Sequence, residues 1–510
     1  MWFQPLFSSR TSLRSTPFTG ALAVACPLLA MLSAAHAGDV EVRPDFTVRA
    51  SDPQPYDAFG YGLAADGNAL LVGARGSDST ALNGGAIYAF AWSGAAWQQV
   101  QKLVFPTAAA GDQIGESLAM RGAVGVAGAP GRGNGGAAFI LRFDGGAWFP
   151  LTEVNDSSAG VGAAFGTSVA AGADAIAIGA PASTEGVGAN AGRVRIFRRA
   201  GSAWNSAEFL KAPFPDPGDR FGFAVALDGA WLAVAAPGDD DAGVNAGAVY
   251  LFREAEGTYQ LAAKILPPGS GAQNAEAGFG QSICLANSKL LVGAPRSGIA
   301  GTDAGAVFRF ALSPKGVAAD GVLTPPAGTG PCDYGFSIAA LGDAVVVGAP
   351  GLPRDGGIVG GAFVYLDGTD LDGVLTSPIA SMGLVGTRVA VTAASIVASG
   401  PALSIASANY AGELVAIDRT LDCNTSGTPD AIEIANGTLV DGNEDGIPDA
   451  CQCLPDLSGD GVVSAADLAL ILGFWGTDGS GVIDADLDDD GIVSASDLAL
   501  VLGNWGPCPN

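Results

Sequence analysis

Histidine and positive charge are what this sequence lacks most. The 510 residues include one histidine, His36, so a catalytic triad, a histidine-ligated zinc site and imidazole general-base catalysis are not expected. Lys and Arg number 24 against 51 Asp and Glu, giving a formal net charge of −27. A surface this acidic repels nucleic acid and anionic lipid, so we expect neither as a partner.

Long apolar runs are also missing beyond the first residues, so no membrane span is expected in the body of the chain. Residues 1–37 have the pattern of a cleavable signal peptide: two arginines, a short apolar core, and the small-x-small site Ala35-His36-Ala37. We therefore expect a secreted, extracellular protein. The alternatives are a membrane anchor, disfavoured because Pro27 interrupts a short run, and a lipoprotein signal at Cys26.

One phrase, recurring at steps of 51 to 58 residues, fills most of the remaining sequence. It opens with an apolar residue and glycine, alternates apolar residues up to a tight turn such as Asp228-Gly229, and continues through two further apolar runs. Period-two alternation cut by turn residues predicts short antiparallel strands. Seven in-phase copies indicate the blades of a β-propeller, a mainly β fold. The copies begin at Phe59, Ile114, Phe165, Phe221, Phe279, Tyr334 and Val385.

The phrase resembles the FG-GAP repeat of integrin α-subunit propellers, through Phe279-Gly280 and the later Gly293-Ala294-Pro295. The resemblance implies a seven-bladed β-propeller, which we assign to residues 38–421, with a face that binds a protein or glycan ligand. Integrin repeats carry calcium in the hairpin between the first two strands, so the resemblance also implies calcium at that position. Here that turn is as short as Asp66-Gly67-Asn68, too short to wrap an ion, so we expect no calcium in the propeller.

The seventh copy lacks a fourth strand, and the start of the propeller offers a replacement. Val48 lies 11 positions before the first anchor, the offset at which an apolar outer-strand residue precedes most later anchors. We predict that Val40–Ala50 pairs with Gly412–Asp418 as the outer strand of blade seven. Such an exchange closes the ring and leaves no free edge.

The last 90 residues contain no Lys or Arg and seventeen Asp or Glu, which predicts either disorder or cation binding. Two segments 30 residues apart follow the EF-hand pattern of oxygen ligands at alternating positions, a mid-loop glycine and a final carboxylate, which favours calcium. The candidate ligands are Asp456, Ser458, Asp460, Val462, Ser464 and Asp467 in the first loop, and Asp486, Asp488, Asp490, Ile492, Ser494 and Asp497 in the second.

Each loop is followed by an apolar helical pattern, and together they resemble a type I dockerin, the module that joins cellulosomal enzymes to cohesins. The resemblance implies a small α-helical, calcium-binding dockerin-like domain over residues 453–510 and a cohesin-like partner. The partner-reading positions, Ala465-Ala466 and Ala495-Ser496, differ from the Ser-Thr pair common in cellulosomal dockerins. We expect the helix core to consist of Leu468, Leu472, Trp475, Leu498, Leu502 and Trp505, at i, i+4, i+7 spacing.

Residues 422–452 form an acidic linker that resembles a thrombospondin type 3 calcium repeat. The ligands of one predicted site are Asp441, Asn443, Asp445 and Asp449. The preceding half is degenerate because Ser426 replaces a carboxylate, so it predicts at most a poor second site. A flexible linker without ions is the alternative.

Six cysteines follow the expected cleavage site, and an even number in an exported protein favours disulfides. We predict Cys423–Cys451 and Cys453–Cys508, the second of which would clasp the ends of the C-terminal module. The pairing of Cys284 and Cys332 is left open.

These features favour a secreted, non-enzymatic binding or scaffold protein, with recognition by the propeller and attachment or assembly through the tail. Recognised repeats leave no room for a separate catalytic domain. One alternative is a component of an extracellular polysaccharide-degrading system, since dockerins accompany glycoside hydrolases, which need only two carboxylates. Another is cell adhesion, by analogy with integrins.

Overall fold

The structure is a computed structural model that describes residues 40–268, 275–354, 357–377, 383–404, 408–442, 446–451, 453, 455–458, 462–479, 485–487 and 490–508. The expected signal peptide and the predicted ligands Asn443, Asp445, Asp460 and Asp488 lie outside these residues. Within the described part of the chain, no helix is both long enough and apolar enough to cross a bilayer.

Seven antiparallel sheets form a seven-bladed β-propeller, as predicted. We call the strands of each blade a to d, from the innermost to the outermost. The a-strands of consecutive blades contact one another, and that of blade seven contacts that of blade one, so the ring is closed.

The strands of blades one to three are Phe59–Asp66, Ala69–Ala74, Ala86–Trp92 and Trp97–Leu103; Leu118–Arg121, Val124–Ala129, Ala137–Asp144 and Ala147–Val154; and Ser168–Ala171, Ala175–Ala180, Arg193–Ala200 and Ala203–Leu210. Those of blades four and five are Val225–Asp228, Trp231–Ala236, Ala248–Ala255 and Thr258–Ile265; and Ser282–Ala286, Lys289–Ala294, Ala306–Ser313 and Gly316–Leu323. Blade six has Ser337–Leu341, Ala344–Ala349, Gly361–Tyr365 and Gly373–Leu375, with a small hairpin of Pro353–Arg354 and Gly357–Ile358 between its b- and c-strands. Blade seven has Arg388–Val391, Ser395–Gly400 and Glu413–Asp418.

The outer strand of blade seven comes from the start of the propeller, which confirms the predicted strand exchange. Phe46–Val48 pairs antiparallel with Glu413–Asp418, and Val48 lies opposite Leu414. The residues just before it do something the sequence did not predict: Glu41–Val42 pairs in parallel with Gly373–Leu375 as a fifth strand on blade six. One segment therefore spans the seam between blades six and seven.

Close contact between neighbouring blades explains why the repeat phrase needs its two glycines. The N–H of Gly166, which has a φ of +94°, donates to the Gly179 carbonyl 2.9 Å away within blade three. The carbonyl of Gly166 faces blade two, where it accepts from Ser117 Oγ at 2.8 Å. A Cβ on Gly128 would come 1.9 Å from this same oxygen, so only glycine fits. The GAP glycines 179, 293 and 348 are crowded by the next blade in the same way.

Each interface between blades has its own apolar cluster, seven in all within the described residues. The seven anchor residues are fully buried in these interfaces. Trp97 and Trp148, at equivalent positions opening strand d, are also buried, and Trp97 Nε1 donates to Ser395 Oγ of blade seven at 2.9 Å. Burial of anchors and tryptophans accounts for the propeller's cohesion.

In the described part of the tail there are three short helices: α1, Asp430–Ala435; α2, Ala465–Gly473; and α3, Ala495–Gly503. A 3₁₀ turn covers Asp449–Cys451, and Val462–Val463 pairs with Gly506–Pro507. Both predicted disulfides are present, Cys423–Cys451 and Cys453–Cys508, with Cα–Cα separations of 5.7 and 5.5 Å. Cys284 and Cys332 are thiols.

The predicted core of α2 and α3 is partly wrong. The buried residues there are Val463, Ile471, Ala485, Val493 and Val501, with Leu468 and Leu498 partly buried. Leu472, Trp475, Leu502 and Trp505 are instead about half exposed, between 46% and 54%. Both helices are apolar on several sides, so the i, i+4, i+7 pattern could not tell which face packs inward.

Candidate binding face and calcium loops

One end of the propeller is built from long loops and the other from tight turns. Because strand direction alternates, the b–c loop of each blade lies at the same end as the connection to the next blade. Hydrogen bonds join the two: the N–H groups of Gly111 and Gln113 donate to the carbonyls of Leu82 and Asn83 at 2.9 and 3.1 Å. We call this end the loop face. At the opposite end, the seven a–b turns contain only small and polar residues.

The most exposed apolar side chains of the described propeller lie on the loop face. Phe214 and Val161, in two connections between blades, are 88% and 85% exposed. Tyr56 and Tyr410 stack with ring centroids 5.7 Å apart across the junction of blades seven and one. The described apolar side chains of this face that are at least 44% exposed are Tyr56, Leu82, Val161, Val187, Phe214, Val244, Ile299, Ile358 and Tyr410. Strongly exposed apolar side chains at one end of the propeller make this end the candidate interaction surface.

Ion pairs under the loop face hold the loops in place. In blade three, Asp156 lies between two arginines, with its oxygens 3.3 Å from Arg193 Nη1 and 2.7 Å from Arg195 Nη2. Burial opposes ionisation of Asp156, but hydrogen bonds from Arg195 and Ser158 hold its pKa below the usual value. The ionised carboxylate therefore stays bound between the two arginines.

Blade four carries a comparable cluster with lysine. Lys264 Nζ lies 2.7 Å from Asp239 Oδ2, and Tyr250 Oη donates to the same carboxylate at 2.9 Å. Nearby Asp219 accepts a hydrogen bond from the N–H of Asp216 at 2.8 Å. Burial, opposed by this hydrogen bond and assisted by the charge of Asp239, raises the pKa of Asp219 to about 6. Paired and hydrogen-bonded side chains thus fix these loops of blades three and four.

The final carboxylates of the two predicted EF-hand loops, Asp467 and Asp497, lie in the first turns of α2 and α3. Asp467 is fully buried at the start of α2 and accepts the N–H groups of Ser458 and Ser464 at 2.8 and 2.7 Å. Asp497 does the same at the start of α3, accepting from Leu487 and Ser494, each at 2.7 Å. Each carboxylate therefore folds back over its own loop.

The remaining described ligands form hydrogen bonds within their own loops. Asp456 Oδ1 accepts from Ser458 Oγ at 3.1 Å, and Asp486 Oδ2 accepts from the Gly491 N–H at 2.8 Å. Asp490 Oδ1 accepts from the N–H of Ile492 at 2.9 Å, next to the predicted backbone ligand at that position. Val462 precedes Ser464 in the first loop, in the short strand pair. Oxygen ligands of this type and order suit Ca²⁺.

Of the predicted linker site, the structure describes its first and last carboxylates. Asp441 Oδ2 accepts the N–H of Gly446 at 3.0 Å, and Asp449 Oδ1 accepts the N–H of Gly442 at 2.9 Å. The two residues therefore belong to one turn closed by backbone amides.

The structure adds Glu433, which the sequence analysis missed. One oxygen from each of Glu433, Asp422 and Asp430 lies within 4.8 Å of the other two. The predicted linker ligands Asp441 to Asp449 span nine residues, so a site of that length starting at Asp422 ends at Asp430 and does not reach Glu433. The 12-residue EF-hand spacing, counted from Asp422, does reach it.

The FG-GAP repeat family matches residues 47–90 and 204–252, which lie in blades one, three and four. Two segments of the propeller therefore match the FG-GAP repeat. A search of curated protein sequences finds no match.

Among solved structures, the chain is similar to a protein from Bacteroides uniformis described as a 6-phosphogluconolactonase, with 14% identity and a TM-score of 0.42 over 62% of this chain and 84% of that one. It is also similar to Sqt1 from Chaetomium thermophilum, with 12% identity and a TM-score of 0.41 over 71% of this chain and 83% of that one. Similarity at this level transfers no function.

Proposed function

We propose that this chain is a secreted, non-enzymatic binding protein whose propeller recognises a partner through its loop face and whose calcium-binding tail attaches it elsewhere. FG-GAP propellers suggest binding or adhesion rather than catalysis. The observation that carries the proposal is that the most exposed apolar side chains lie on the loop face, where ion pairs hold loops of blades three and four in place. An ordered face loses little conformational entropy on binding, which favours affinity.

The composition of the loop face favours a protein partner over a glycan. Most of its exposed apolar residues are aliphatic, such as Leu82, Val187 and Ile299, and these suit the apolar centre of a protein interface. Glycan platforms present flat aromatic rings, whereas Trp97 and Trp148 are buried between blades. Association with a polysaccharide-degrading system would then come through the tail.

Calcium in the tail is supported by the donor set. The described loop ligands are carboxylates, hydroxyls and backbone carbonyls, which are the ligands that Ca²⁺ prefers, and no Lys or Arg follows Arg419 to neutralise them. Each of the two loops would hold one Ca²⁺ ion. The half-exposed pairs Leu472 with Trp475 and Leu502 with Trp505 then offer a surface for a cohesin-like or other protein partner. The two disulfides fit an oxidising, extracellular location.

The test is a cross-linking pull-down from the extracellular fraction with the mature chain and two triple variants. The loop-face variant carries Val161→Ser, Phe214→Ser and Val244→Ser. The control carries Phe149→Ser, Leu151→Ser and Leu261→Ser, three similarly apolar residues exposed on d-strands.

We expect a protein partner to be captured by the wild type and the control and to be lost at least about tenfold by the loop-face variant, because interface centres carry most of the binding energy. Equal capture by both variants would place recognition elsewhere. Retention on a glycan array, lost in the loop-face variant, would replace the protein partner by a carbohydrate.

A further inference from the structure

We infer that residues 422–433 form a further calcium site, closed by Glu433, at the seam where the propeller ring closes. The segment follows the complete 12-residue EF-hand pattern, with oxygen side chains at positions 1, 3, 5, 9 and 12, glycine at 6 and a backbone carbonyl at 7. These are Asp422, Asn424, Ser426, Asp430 and Glu433, with Gly427 and Thr428. The site is separate from the loops proposed above and does not depend on them.

Three carboxylates converge there without a compensating positive charge. Oxygens of Asp422, Asp430 and Glu433 lie within 4.8 Å of one another. Asp430 and Glu433 are 6% and 4% exposed. Within the described residues none of the three forms an ion pair with a Lys or Arg, and the sequence has no basic residue beyond Arg419. Buried like charges this close repel strongly unless a cation lies between them.

A second observation points to a ligand. Glu433 Oε1 accepts a hydrogen bond from Asn424 Nδ2 at 3.2 Å, but Oε2 is buried without any hydrogen-bond partner. Buried carboxylate oxygens are normally satisfied, and an unsatisfied one is costly. The last glutamate of an EF-hand loop binds Ca²⁺ through both oxygens. A calcium ion would therefore supply the partner that Glu433 Oε2 lacks.

The loop before Glu433 has the conformation that such a site needs. Gly427 has a φ of +89°, the sharp turn of position 6. The N–H groups of Ser426 and Gly427 donate to the two oxygens of Asp422 at 2.9 and 2.8 Å, which fixes the first ligand. Ca²⁺, which takes about six to eight oxygens in flexible geometry, suits this loop better than Mg²⁺, which keeps several waters.

The site lies against the propeller. Glu433 belongs to α1, and its neighbour Ile432 is fully buried in the cluster that contains Val42 and Ile417 of the seam between blades six and seven. The N–H of Asp430 donates to the carbonyl of Leu421 at 2.8 Å, directly after the last strand. An ion bound here would therefore hold α1, six residues long, onto the seam.

The test compares the mature chain with Glu433→Gln, which keeps the shape of the side chain and removes its charge. The control is Glu256→Gln, the same change at an exposed glutamate in a hairpin turn of blade four. Bound Ca²⁺ per chain is counted by equilibrium dialysis with radioactive calcium. Hydrogen–deuterium exchange of residues 430–435 is measured in calcium and in excess chelator.

We expect Glu433→Gln to bind one Ca²⁺ fewer per chain than the wild type and the control. Calcium should slow exchange in α1 of the wild type and the control by about tenfold or more, and have no effect on α1 in Glu433→Gln. An unchanged ion count in Glu433→Gln, or α1 exchange that ignores calcium in the wild type, overturns the inference. Exchange in α2 and α3 reports independently on the other loops.

Discussion

The propeller and the tail are both made of short repeated phrases with glycine at the turns, yet different forces stabilise them. Each blade of the propeller buries an anchor and an apolar cluster against its neighbour, and its buried carboxylates have cationic or hydrogen-bonding partners. Around α2 and α3, the structure describes only five fully buried apolar residues, beside two fully buried carboxylates. We therefore expect apolar burial to suffice for the first region and the second region to depend on charge neutralisation.

Removal of calcium should separate the two regions most clearly. We expect excess chelator to abolish the helical circular dichroism of the tail and to leave the β signal of the propeller intact, because the energy of metal binding is folding energy for so small a core. Asp456→Ala combined with Asp490→Ala, one ligand from each loop, should have the same effect in the presence of calcium.

The matched control for that experiment is Asp144→Ala, which removes an exposed carboxylate from a turn of blade two. It should leave both signals unchanged. If chelation melted the propeller, or if the helical signal persisted in the double variant, the assignment of calcium dependence to the tail would be contradicted.

The reverse experiment destabilises the propeller by replacing a glycine at a contact between blades. Gly128→Ala would place a Cβ 1.9 Å from the Gly166 carbonyl of the next blade, so the two blades must move apart. We expect a loss of about 4 kcal/mol or more in the free energy of unfolding, measured by denaturant titration. The tail helices should be unaffected.

Gly145→Ala supplies the matched control, because the space around Gly145 is open and only its φ of +58° disfavours alanine. That change should cost about 1 kcal/mol. Equal losses in the two variants would mean that the contact between blades does not explain the repeat phrase.

How far the sequence predicts each region follows the same division. The number of blades and their anchors could be predicted because seven copies repeat one period-two pattern. The exchanged strand Phe46–Val48 could be predicted because the seventh copy lacks its fourth strand. The two-residue strand Glu41–Val42 could not, since two residues carry no periodicity. In the tail, the apolar pattern wrongly favoured Leu472 over its neighbour Ile471, because packing of one helix on the other decides which face is buried. Glu433 was missed because the nine-residue spacing of the linker ligands, counted from Asp422, ends at Asp430.

The smallest expected effect is a difference in the pH dependence of the two regions. Burial raises the pKa of Asp219 in the propeller to about 6, against an ordinary value of 3.8. The folded state therefore binds this proton more tightly than the unfolded state. The stability that the proton contributes is fully present below about pH 4 and is lost as the pH rises through 6. The tail should behave in the opposite way, because its ligands must lose their protons to bind calcium.

Asp219→Asn isolates the propeller's share of this dependence. The amide oxygen can still accept the N–H of Asp216, but the group no longer titrates. We expect the melting temperature of the propeller at pH 7.5 to rise by about 2 °C relative to the wild type, and the difference to vanish near pH 4. Asp144→Asn, at an exposed position, should change neither value. The opposite outcomes are that Asp219→Asn melts below the wild type at pH 7.5, or that its melting temperature changes with pH between 4 and 7 as that of the wild type does. Either result would show that the ionised carboxylate stabilises the loop face. The two regions would then not respond to pH with opposite signs.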